Sequence, residues 1–182
     1  HDAAALGQID LNAFNRDARA SAQWTQAVLN FNSKQFLSSL PEKLEVAGVT
    51  LVHGSPRNPE WEYMLDSMTA ELNFRSMTTH LCFVGHTHLP VAFYYYSNSH
   101  PRDTWQLLRE NESPVLNVRT FLNPGSVGQP RDHDPRSAFA IFDSVEKTWE
   151  PRRVEYDIEK VQKLIRKNGL PMKHAERLAE GW

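Results

Sequence analysis

The chain has one cysteine, no long apolar run and almost no net charge. A single thiol, Cys82, excludes an internal disulfide framework. It lies in Leu81-Cys82-Phe83-Val84, where a reduced, buried side chain is the expected state, and a reducing cytoplasm is the expected compartment. No stretch approaches the ~18 consecutive apolar residues that a membrane helix needs, and no secretory leader is visible. The 20 basic and 22 acidic residues leave a net charge of −2, so there is no general attraction to nucleic acid or anionic membranes. Repeats and low-complexity segments are absent. With 40% hydrophobic and 23% charged residues, the 182-residue chain is neither disordered, collagenous nor coiled coil. A chain of this length can bury about 70% of its unfolded surface. One domain over residues 1–182 is the expectation.

What is present reads as mixed α/β, with helices at the ends and strands in the middle. Apolar residues between Arg16 and Asn30 recur at helical spacing. Ser33 reads as the N-cap of a short helix ending at Leu40 before Pro41. Lys43 to Val46 and Val49 to Val52 read as a hairpin turning at Ala47-Gly48. Glu60 to Arg75 has helical periodicity. Leu81 to Val84 is uniformly apolar, as in a strand buried on both faces. Val91 to Tyr96 reads as an aromatic edge strand, followed by a polar loop from Ser97 to Asp103. Short strands are expected at Thr104 to Leu108 and Val115 to Val118, and a last pair at Ser137 to Asp143 and Trp149 to Tyr156. Asp157 caps a helix closed by Gly169, and Met172 to Leu178 adds another.

Three of the eight histidines share one design. His53 follows the apolar run Thr50-Leu51-Val52, and His86 and His88 follow Leu81-Cys82-Phe83-Val84-Gly85. Strand ends facing a common loop surface are where sites are built. Imidazole is the commonest metal ligand near neutral pH, because it can be neutral and still offer a lone pair. Gly54 and Gly85 would let the backbone approach an ion or a phosphate. Each histidine alone also reads as an ordinary hydrogen-bonded residue; the repeated placement favours metal. His80, His100, His133 and His174 lie in polar or helical settings and are assigned to solvent. A metallo-β-lactamase-type site would want Asp two residues after the second His, where Pro90 stands. A cupin would want Glu four residues after it, where Ala92 stands. Asn123-Pro124-Gly125-Ser126-Val127-Gly128 is a turn whose backbone N–H groups could face an anion, or simply a tight loop. Arg131 could fork onto a phosphate or pair with a nearby Asp.

In order, His1-Asp2, Leu51-Val52-His53-Gly54-Ser55-Pro56, Val84-Gly85-His86-Thr87-His88 and Asn123-Pro124-Gly125-Ser126-Val127-Gly128 resemble the later part of the calcineurin-like metallophosphoesterase superfamily. The likeness is greatest to small bacterial phosphoesterases related to diadenosine tetraphosphatase, and it covers roughly residues 1 to 156. It implies an α/β/β/α sandwich of two mixed sheets holding two divalent ions. By that resemblance His53 and His86 would ligate one ion and His88 the other, and His1 would be catalytic, as the end of a Gly-Asn-His-Asp motif. Asn123, Gly125, Ser126 and Arg131 are the substrate-loop candidates. The implied activity is hydrolysis of phosphate mono- or diesters by a metal-activated water. The substrate would be a small phosphoester or nucleotide, and the metals would be Mn, Fe, Ni or Zn.

The family's opening Asp-x-His and Gly-Asp motifs are not in this sequence. Two Asp, one His and one Asn of the family's ligand set are therefore unmatched; Asp132 and Asp134, which follow no strand, are weak substitutes. The expectation is a domain whose N-terminal strands are missing, holding at most one ion tightly and turning over poorly. An exposed sheet edge would then invite a homo-oligomer. A non-catalytic metal-binding or interaction remnant of the same fold is the alternative.

Overall fold

The structure is a computed structural model, and it describes residues 1–96 and 104–182. The expected polar loop from Ser97 to Asp103, with His100, lies outside the described residues. In chain order the elements are α1 (Asp2–Ala5), a 3-10 turn (Leu11–Ala13), α2 (Arg16–Val28), α3 (Phe31–Ser38), β1 (Lys43–Val46), β2 (Val49–Val52), α4 (Ser67–Phe74) and β3 (Leu81–Phe83). They continue as β4 (Pro90–Tyr95), β5 (Trp105–Leu107), β6 (Arg119–Pro124), β7 (Ser137–Asp143), β8 (Thr148–Val154), α5 (Ile158–Lys167) and α6 (Met172–Glu180). The chain forms two compact units, one of residues 1–41 and 157–179, the other of residues 42–156 and 180–182.

The first unit is helical, and its helices start where side chains satisfy free N–H groups. Asn15 accepts from Asp17 and Ala18 at the start of α2. Asn30, not Ser33, caps α3: its side chain accepts from Ser33 N–H, which places Ser33 in the first turn. Asp157 caps α5 as expected, and Gly169 closes it at φ +66°. Gln26 ties α2 to the Ala4 carbonyl at 2.6 Å, and Gln162 ties α5 to the Ala175 carbonyl at 2.7 Å.

The second unit is built on a six-stranded mixed sheet in the order β1-β2-β3-β6-β4-β5. β2, β3 and β6 run parallel, while β1, β4 and β5 pair antiparallel at the flanks. The β1–β2 hairpin turns at Ala47 (φ 51°) and Gly48 (φ 77°), the double positive φ of a tight two-residue turn. Alternation along β3 sorts the core. Cys82 faces one side with Val52, Val84, Phe93 and Phe121, under Met64 and α4 residues Ala70 and Phe74. Phe83 faces the other, against Phe142 and Trp149 of the antiparallel β7–β8 hairpin, which forms the second sheet. A mixed sheet between helix and hairpin gives the mixed α/β layering that the resemblance implies, except that the small sheet is purely antiparallel.

Three further local expectations are corrected. The helix expected from Glu60 occupies only Ser67–Phe74, because Glu62 turns inward to a hydrogen-bonded cluster instead of lying on a solvent face. Residues 115–118 are irregular, and the strand begins at Arg119. The aromatic strand β4 is not an edge: it lies between β6 and β5, and Phe93 and Tyr94 are 2% and 5% exposed. The edges are β1 and β5; β1 has all four positions exposed, with Lys43 and Glu45 alternating along it, charges of the kind that discourage edge pairing.

Candidate functional site

Parallel β2, β3 and β6 end on the same side of the sheet, so the loops after them converge there. His53 follows β2, His86 and His88 follow β3, and Asn123 lies near the end of β6. Spacing alone could not fix this meeting; the strand register does.

His53 and His86 are brought into direct contact. Their Nε2 and Nδ1 atoms are 3.0 Å apart, so one ring donates to the other. Gly85 N–H donates to the His53 carbonyl at 2.8 Å, which locks the two strand ends together. His86 is 8% exposed and has a left-handed backbone at φ 61°. Burial, and then the neighbouring His53, push its pKa down to about 4, so the ring is neutral at physiological pH. Among the described residues its Nε2 is buried without a hydrogen bond of good geometry. The Tyr63 ring stacks on it with centroids 3.9 Å apart.

His88 is held differently. Its Nδ1 faces the Gln129 carbonyl at 2.7 Å, which makes Nδ1 the donor and leaves the Nε2 lone pair free to bind. Its carbonyl accepts from Arg131 N–H at 3.3 Å, and its backbone is also left-handed, at φ 63°. Burial lowers its pKa; the Gln129 hydrogen bond opposes this, while Arg131 and His53 add to it.

Asn123 organises this loop. It is 1% exposed, and its amide donates to the Gly85 carbonyl at 2.7 Å and to Thr87 Oγ1 at 2.9 Å. Its carbonyl oxygen accepts from Gly125 N–H at 2.9 Å. Ser126 Oγ accepts from Gln129 N–H at 3.0 Å. Gly125 N–H is therefore engaged inside its own loop. Its φ of +90° and the 2.8 Å approach that a Cβ would make to Ala138 explain the glycine. Arg131 reaches Gln129 Oε1 at 3.1 Å. Asp132 and Asp134 are ion-paired with Arg153 and Arg136 respectively. His1 belongs to the helical unit, at the N-cap of α1, with its ring 5.6 Å from that of Phe14.

The sequence reading missed Glu62. Its carboxylate accepts from Ser55 Oγ at 2.5 Å and Asn73 Nδ2 at 2.6 Å and pairs with Arg57. Burial opposes ionisation, but those three partners outweigh it and hold the carboxyl below its usual range. Gly54, expected to admit a ligand, instead admits its own loop: a Cβ there would lie 2.8 and 2.9 Å from the Asn58 and Pro59 carbonyls. A Ser-Pro-x-x-x-x-x-Glu pattern after a strand carries no hint of this closure.

The donor set suits a divalent ion in part. Two imidazoles in contact and a third with its Nε2 free are nitrogen ligands of the kind that Zn, Ni or Fe take. Among the described residues, however, no group of three or more His, Cys, Asp or Glu is gathered closely enough to hold an ion by itself.

Four likenesses accompany this geometry, one to a family profile and three to individual proteins. A sequence profile described as the calcineurin-like phosphoesterase superfamily domain matches residues 4–147. The uncharacterized protein MJ0912 of Methanocaldococcus jannaschii is 37% identical over 188 aligned positions, covering all of this chain and 73% of its own length. A metallophosphoesterase from Sphaerobacter thermophilus, known by crystal structure, superposes with a TM-score of 0.86 at 39% identity, over all of this chain and 74% of that one. The hypothetical protein PH1004 of Pyrococcus horikoshii shares the fold, with a TM-score of 0.76 at 19% identity.

Proposed function

Starting from the fact that the chain belongs to the calcineurin-like phosphoesterase superfamily, we propose that His53, His86 and His88 are the imidazole share of a metal-dependent site that hydrolyses phosphate mono- or diesters. The observation that carries this is the 3.0 Å His53–His86 contact at the ends of two adjacent parallel strands. A divalent ion, when bound, neutralises phosphate charge and lowers the pKa of a water.

The chain's own groups have distinct tasks. Burial keeps His86 neutral, so its lone pair is available without loss of a proton at neutral pH. The Gln129 carbonyl fixes the His88 tautomer. Asn123 holds the loop that carries both rings. Arg131, whose charge is felt at His88, would stabilise negative charge on a bound phosphate. The substrate is a small phosphoester or nucleotide.

Elemental analysis after loading with Mn²⁺ or Zn²⁺, beside turnover of p-nitrophenyl phosphate and bis(p-nitrophenyl) phosphate, tests the reading. About one ion per chain, slow turnover, and loss of the ion in His86→Ala are expected. Unchanged metal content in both His86→Ala and His88→Ala would overturn it. The second reading, a non-catalytic metal-binding module, is favoured by the lack of any carboxylate grouped with these imidazoles among the described residues. Metal binding with no turnover of either ester would select it.

A further inference from the structure

The segment between Gly54 and Tyr63 is irregular, yet it is firmly built. Gly54 N–H donates to the Pro59 carbonyl at 2.6 Å, and the Glu62 carboxylate gathers Ser55, Arg57 and Asn73 beneath the segment. Glu62 is thus the inward anchor, and its neighbours in sequence are two large aromatics that stay outside. Trp61 is 40% exposed and Tyr63 45% exposed. Tyr63 gives one face to His86, at 3.9 Å and 24° between ring planes, and keeps much of the rest in water. An exposed ring held by a half-buried, hydrogen-bonded anchor is a preorganised surface, so little ordering remains to be done when a second flat ring lies on it.

We propose that Tyr63 is a specificity-determining residue: a stacking platform that favours phosphoesters whose alcohol carries a flat ring, nucleosides first among them. This deepens the phosphoester reading of the imidazole site and rests on it. The phosphate end would lie toward His53, His86 and His88, and the ring would lie on Tyr63, in direct contact with the ring of His86. Base-on-aromatic stacking tolerates any base, because every base presents a π-face. The platform therefore selects nucleoside esters over alkyl esters without reading base identity.

The test is calorimetric binding to the intact, Mn²⁺-loaded chain, with AMP, phenyl phosphate and ribose 5-phosphate as probes. AMP should bind about tenfold more tightly than ribose 5-phosphate, the size of one stacking contact. Tyr63→Leu should bring the ratio close to one, and Tyr63→Phe should keep it. Phenyl phosphate as tight as AMP would widen the class to aryl esters, whereas tightness for AMP alone would confine it to nucleosides. Equal affinity of AMP and ribose 5-phosphate in the parent, or an unchanged ratio in Tyr63→Leu with native circular dichroism, overturns the platform and leaves the phosphoester site standing. Failure of all three probes to bind overturns that site and the platform with it.

Discussion

The His53–His86 side and the His88 side of the candidate site reach a similar end by different means. On the first side, two rings satisfy each other at 3.0 Å, and the loop beside them is fixed by a half-buried carboxylate, Glu62, with three side-chain partners. On the second, a ring is oriented by a main-chain carbonyl, Gln129, and the loop is fixed by a neutral amide, Asn123. A charge-anchored loop is stiff but vulnerable to loss of one group, because its partners are left buried and unpaired. An amide-anchored loop loses less when cut.

That contrast can be broken by substitution. The largest effect should come from Glu62→Ala, about 3 kcal/mol of stability by chemical denaturation, since it removes a partner from the buried Ser55 and Asn73 and unpairs Arg57. A loss under 1 kcal/mol would mean the cluster is solvated and the anchor is not what holds the loop. Asn123→Ala should cost about 2 kcal/mol, the loss of two donor bonds and one acceptor bond in a buried position. If it costs more than Glu62→Ala, the ranking of the two sides is reversed.

Acid should sharpen the difference. The pKa of His86 is lowered from its ordinary value of about 6.5 to about 4 in the folded, metal-free chain. Between those values the unfolded chain binds the extra proton, so stability is full above pH 7 and falls as the pH drops toward 4. Unfolding with chelator present should show about 1.5 kcal/mol lost between pH 7 and pH 5, and His86→Gln should flatten most of that slope. A pH-independent midpoint over this range would mean His86 is not held neutral by the fold. The smallest effect belongs to Arg131→Ala, within ~0.5 kcal/mol in stability, because among the described residues its side chain hydrogen-bonds to Gln129 alone. Its signature should be weaker binding of inorganic phosphate by the metal-loaded chain, read by calorimetry.

Much of the architecture was legible because it depends on local signals. The Ala47-Gly48 turn, the Asp157 cap, the uniformly apolar β3 and the final hairpin all announce themselves within a few residues. The errors have a common cause. The periodicity from Glu60 onward is helical, but Glu62 is claimed by Asn73, Ser55 and Arg57, and the helix cannot start until Asp66 caps it. The aromatic strand β4 resembles an edge in its composition, yet β5 and β6 cover both of its sides. Ser33 has the right residue type for a cap, but Asn30 reaches the free N–H first.

By itself the sequence determined which residue types stand at the ends of apolar strands: His53, His86, His88 and Asn123, each after a run that could only be buried. It determined the family too, through Gly-His-Thr-His and Asn-Pro-Gly-Ser-Val in that order. Only the tertiary structure decided which rings touch, which ring nitrogen carries a proton, and that Tyr63 lies on His86. Those facts depend on the register between strands distant along the chain and on where burial removes water, and neither quantity is local.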